Sequence, residues 1–128
     1  MSYTLDTHVD GEFDDVVSAT IDALEDEGFS VLCDIDVQST FAEKLDEEFR
    51  QYRILGACNP QLAHQGLEED IDLGTLLPCN VVVYDGDDGD VVVSAVNPER
   101  LIGVTDDSDL EPIGEDAHKR FERALEAL

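Results

Sequence analysis

Tryptophan is absent from the 128 residues, only one methionine and four prolines occur, and just 7 Lys and Arg stand against 32 Asp and Glu. Two of those seven are lysines, Lys44 and Lys119. A phosphate backbone or an anionic membrane is bound through clustered cations, so this poverty excludes bare nucleic acid and membrane as expected partners. No apolar run approaches the roughly 18 residues of a membrane span. The start, "MSYTLDTHVD", lacks the basic stretch and apolar run of a leader. Three cysteines, an odd number, do not form a disulfide framework, and a reducing cytoplasm is the expected compartment.

What is present is a foldable core. Apolar residues make up 42% of the chain, too many and too periodic for a disordered acidic tail. The length predicts one domain, 1–128, burying roughly two-thirds of its unfolded surface. The net charge of −25 spreads over every segment instead of forming one stripe, which argues against a nucleic-acid mimic. It predicts a halophilic, haloarchaeal-type acidic surface, kept hydrated by carboxylates and screened by molar salt, where the Debye length falls to about 3 Å.

The hydrophobic period changes along the chain. Residues 3–9 alternate Tyr3, Leu5, Thr7 and Val9 against polar neighbours, as a strand does. From Phe13 the apolar positions Val16, Val17, Ile21 and Leu24 fall on one helical face, and Gly28 is a natural stop. "FSVLCDIDV" alternates again and predicts a core thiol at Cys33. "TFAE", Thr40 to Glu43, has the form of a capping box, opening a helix with Phe41, Leu45 and Phe49 as its buried stripe. A third strand is predicted near Gln51 to Ala57. Asn59 and Pro60 then suit the cap and first position of a helix that turns Leu62, Ala63 and Leu67 inward. "LLPCNVVVYDGDDGDVVVSAV" predicts a hairpin around an acidic turn at 85–90. Asn97 and Pro98 repeat the cap, and Pro112 starts a last helix with Ala117, Phe121, Leu125 and Leu128 inward. The sum is an α+β fold, an antiparallel or mixed sheet of about five strands with helices on one face.

Two stretches repeat a theme: "RILGACNP" and "LLPCNVVV" each hold a Cys-Asn pair near a proline. Longer segments around them, "YRILGACNPQLAHQGL" and "DLGTLLPCNVVVY", together with "EKLDEEF" before and "AVNPERL" after, resemble the domain-of-unknown-function 302 family over nearly the whole chain. The resemblance implies a small antiparallel sheet backed by helices, similar in outline to the TATA-box-binding-protein fold, and a homodimer. It implies no activity. Where the family has glycine after "EKL", this chain has Asp46, which is expected to lengthen or reshape the helix end.

Cys58, Asn59, Cys79, Asn80 and Lys44 are the candidate ligand-binding residues. Cys58 precedes a helix N-terminus, where free N–H groups and the dipole would lower its pKa and attract an anion. Cys79 would face it, the two asparagines would add amide groups, and Lys44 a positive charge. The leading expectation is a binding or sensing module for a small anionic or thiol-reactive ligand, with no cofactor. One alternative is a thiol-dependent enzyme using Cys58 and Cys79, although the pair lacks Cys-x-x-Cys spacing. Another is a purely structural or dimer-forming role for the motifs, with Asn59 a cap and the thiols packed. Metal is not expected, since Cys58, Cys79 and His64 fall short of a tetrahedral set. His8 and His118 read as exposed, "DGDDGD" as a solvated turn, and Ser94 and Ser108 lack a nucleophile motif.

Overall fold

The computed structural model describes residues 2–128. Five strands form one sheet: β1 (Thr4–Val9), β2 (Ser30–Asp36), β3 (Tyr52–Cys58), β4 (Cys79–Asp85) and β5 (Val91–Val96). Their order is β1-β5-β4-β3-β2, and every pairing is antiparallel. The helices are α1 (Phe13–Asp26), α2 (Val37–Leu45), α3 (Pro60–Glu69), α4 (Pro98–Gly103) and α5 (Glu111–Glu126), with a 3-10 segment at Ile71–Leu76. The expected α+β class thus stands, with the sheet wholly antiparallel. Among the described residues no helix is long and apolar enough to cross a membrane.

Because β1 and β2 occupy opposite edges, α1 must carry the chain across the whole sheet. It does so on its Phe13, Val16, Val17 and Leu24 face, packed with Phe121 and Ala124 of α5 against Leu55, Ala57, Val81, Val83, Val93 and Ala95 of the three inner strands. Phe29 stacks on Phe121, ring centroids 4.4 Å apart. Gly28 ends α1 at φ +86°, with its N–H on Glu25 O and that of Phe29 on Leu24 O. A smaller cluster, Leu73, Ile102 and Leu110, lies beyond this core. The predicted hairpin forms, closed by Gly86 N–H to Asp90 O at 2.8 Å.

Several expectations fail between residues 29 and 49. Cys33 is exposed, not buried. Val31 pairs with Ala57, but the next paired residue is Cys33, opposite Gly56, so Leu32 is an extra residue in a bulge. The bulge inverts the alternation, and Cys33 and Ile35 move to the face away from α1 and α5. The helix also starts earlier than the capping box proposes. Asp36 caps α2 by accepting from the Ser39 N–H at 3.0 Å, while Thr40 donates back to the Asp36 carbonyl at 2.9 Å. No residue of α2 is buried; Leu45 is 63% and Phe49 41% exposed. Phe41, Phe49, Tyr52 and Tyr84 instead form a chain of ring contacts on the open side of the sheet. Asp46 does not lengthen α2 but ends it, adopting the left-handed conformation at φ 53°.

Candidate functional site

The site forms where β3 and β4 run out. Ala57 lies opposite Cys79, and the chain leaves β3 through Cys58 into α3. Asn59 is the cap: its Oδ1 accepts from the Leu62 N–H at 3.1 Å, and its carbonyl accepts from the Ala63 N–H at 2.9 Å. Pro60 supplies a first helical residue with no N–H to satisfy. Gly28 and Arg120 flank the asparagine on the other side. A Cβ on Gly28 would stand 3.1 Å from Asn59 Nδ2 and 3.3 Å from an Arg120 guanidinium nitrogen, so glycine leaves the space they use. Arg120 is fixed in turn by the Glu27 carbonyl and Asp116.

Beside this junction is a cavity of about 40 Å³. It lies at the seam of the two apolar clusters, with Phe29 and Ala57 on one side and Leu73, Ile102 and Ile113 on the other. Cys58, Asn59 and Cys79 all line it, and every other lining residue is apolar or glycine. Lys44 and Asn80 do not line it. Lys44 is exposed in the last turn of α2, and Asn80 is an exposed β4 residue opposite Gly56. His64 points outward on α3, 3.3 Å from Glu68 Oε1. The structure therefore brings together three of the five candidates.

The electrostatics run opposite to the expectation for Cys58. Burial pushes its thiol up from the ordinary value instead of the helix end drawing it down. Desolvation outweighs the helix end, where the Asn59 side chain already takes the Leu62 N–H. Cys79 is pushed further, to about 11, first by burial and then by the neighbouring Cys58. Both thiols are therefore protonated near neutral pH. That arrangement holds uncharged thiols in an apolar recess. It does not make a ready nucleophile.

The apolar walls were less legible in the sequence. Leu73, Leu76 and Leu77 come from the 3-10 segment and its end, and Leu101 and Ile102 from α4. Their signal was Gly66 within α3: a Cβ there would strike Leu73 Cδ2, so the glycine lets the 3-10 segment close against the helix. The last residue of α3 also comes close to the loop before α5. Carboxylate oxygens of Glu69, Asp107 and Asp109 fall within 4.8 Å of one another, and the Asp109 charge pushes the Glu69 carboxyl up.

A five-stranded antiparallel sheet covered by helices, with a cysteine-lined recess at the ends of its inner strands, defines a small α+β class. The family model described as "Domain of unknown function DUF302" matches residues 5–128, and the chain belongs to that family. Its structure is similar to the crystal structure of the uncharacterized conserved protein DUF302 from Bacillus stearothermophilus. The TM-score is 0.92 at 29% identity, covering 99% of this chain and 98% of that one. No curated protein matches the chain.

Proposed function

We propose that the protein is a small-ligand binding or sensing module whose pocket is the recess lined by Cys58, Asn59 and Cys79. The observation that carries this reading is the cavity itself, an unfilled space between two packed clusters with Cys58 and Cys79 among its lining residues. The ligand is uncharged and apolar or thiol-reactive. An anion would need cationic donors, and no Lys or Arg lines the space. The raised thiols weigh against the enzyme alternative, which requires thiolate.

The module is a salt-adapted cytoplasmic homodimer in this reading. Acids in every helix and in three of the five strands support the salt adaptation, and the exposed apolar groups on the open side of the sheet, Ile35 and Phe49 among them, support self-association.

Xenon tests the pocket. Methyl NMR under xenon pressure is expected to shift Leu62, Leu73, Leu101 and Ile102, with Leu5 and Val9 unmoved. Unmoved cavity methyls would sink the reading.

A further inference from the structure

Of five phenylalanines and three tyrosines, only Phe13, Phe29 and Phe121 belong to the core. Phe41, Phe49, Tyr52 and Tyr84 gather instead on the open side of the sheet. There an open groove of about 430 Å³ lies between α2 and the sheet. Phe41, Phe49 and Tyr52 wall it, and Ile35, Val37 and Ile54 complete its apolar lining. The three rings are not stacked shut. Phe41 meets Phe49 at 74° with centroids 5.1 Å apart, and Phe49 meets Tyr52 at 50° and 6.0 Å, which makes an angled wall. Gln38 fixes that wall by donating to the Phe49 carbonyl at 2.9 Å.

Charge around the groove is mostly negative. No Lys or Arg lines it, and the segment joining its two phenylalanines carries Glu43, Asp46, Glu47 and Glu48 against Lys44, all exposed. Arg50 and Arg53, on either side of Tyr52 in the chain, are turned to Asp85 and Asp87 and to Asp34. An anion therefore finds no partner here. The lining holds no carboxylate either, and the Thr40 hydroxyl is spent on the Asp36 carbonyl. A metal ion or a primary ammonium thus has nothing to replace its water. The occupant that meets both conditions is a weakly hydrated cation, its charge spread over methyl groups that rest against ring faces.

We propose that the groove binds a small, free quaternary ammonium solute against Phe41, Phe49 and Tyr52. This goes beyond the recess reading, since it uses the other side of the sheet and different residues. The net charge of −25 raises the local concentration of cations, and the rings select the one that sheds its water most easily.

The full-length protein in molar KCl is titrated with choline and, separately, with dimethylbutanol, its uncharged carbon isostere, while ring resonances are followed by NMR. Choline is expected to shift Phe41, Phe49 and Tyr52 and to leave Phe13, Phe29 and Phe121 unmoved. It should bind about tenfold tighter than the alcohol. Phe49→Leu keeps apolar bulk but removes a ring face, so choline should weaken by about threefold or more while the alcohol binds as before. The wild-type comparison stands even where the variant does not fold. Equal binding of the two probes makes the groove merely apolar and overturns the proposal, as does a folded Phe49→Leu that binds choline like the wild type. Unmoved rings overturn it too, and sedimentation velocity then tells whether a second copy covers the groove.

Discussion

The sulfur of Cys33 lies over the bare α-carbon of Gly56. A Cβ built there would meet Cys33 Sγ at 2.5 Å and Pro78 Cγ at 2.9 Å, both closer than real side chains approach. The bulge at Leu32 brings Cys33 opposite Gly56, and Pro78 leads into β4 on the other flank. The glycine of "RILGACNP" is therefore a packing requirement: strand β3 can hold its neighbours on both sides only where it carries no side chain.

Gly56→Ala is expected to cost about 1–3 kcal/mol in urea unfolding, because a methyl is forced between two groups. The sulfur can rotate away but the proline ring cannot. Adding Cys33→Ala should therefore recover only part of the loss. A neutral Gly56→Ala would mean that the three groups do not meet as described.

The thiols make a prediction in pH. Cys79 sits at about 11 in the folded chain against 9.0 as its ordinary value. Between those values the unfolded chain has lost the proton and the folded chain keeps it. Stability is thus complete below about pH 9 and falls as pH rises toward 11, by about 2–3 kcal/mol. Cys58 acts in the same direction, as does Tyr52, raised by burial and by Tyr84 beside it. Cys79→Ala keeps the Cys58 and tyrosine contributions and should make the slope shallower by its own share. An unchanged slope in denaturant titrations at pH 8 to 11 would deny the buried thiol.

The strands and most helices could be read from the chain because period and caps agreed. Phe13 to Leu24 kept a helical face, Asn59-Pro60 and Asn97-Pro98 each opened a helix, and the hairpin carried its own turn. The bulge was hidden, since one unpaired residue leaves no mark on an alternating pattern but reverses every side chain after it. The helical spacing of Phe41 and Leu45 was real but silent about direction, and tertiary context left that stripe on the outside. At the site, the cysteines and Asn59 announced themselves by type. Lys44 was drawn in by its charge alone, and nothing local in the chain told that α2 ends elsewhere. The thiol pKa failed because burial, which the chain does not announce, outweighs the pull of a helix end whose Leu62 N–H the adjacent Asn59 already takes.

Asn59 should prove structural as well as part of the pocket wall. Asn59→Ala removes the acceptor for Leu62 N–H in a position only 9% exposed, at a cost of about 1–2 kcal/mol. Asn59→Asp keeps the acceptor and places its charge near the Arg120 guanidinium, so it should lose less. Thermal unfolding of the pair decides. Equal losses would show that the amide nitrogen, not the cap oxygen, holds the junction.

At Asp46 the chain accepts left-handed backbone without glycine. Asp46→Gly removes that penalty at the α2 C-cap but gains freedom in the unfolded chain, leaving a net stabilisation of about 0.5–1 kcal/mol. It also removes one of 32 acids, which helps in dilute buffer. A destabilised variant would mean that the Asp46 carboxylate makes a contact worth more than the backbone strain.

The charge itself gives the last test. At −25 the folded chain concentrates self-repulsion that an expanded chain relieves. Its ion pairs are too few to offset this, and one such as Arg50 with Asp87 is solvent-exposed and weak. Molar KCl shortens the reach of each charge to about 3 Å and should raise the unfolding midpoint by several degrees over dilute buffer. KCl and K₂SO₄ compared at equal ionic strength separate screening from the general strengthening of apolar burial by sulfate. If stability is the same in dilute buffer and in molar KCl, the acids are not a salt adaptation, and their spread along the chain needs another cause.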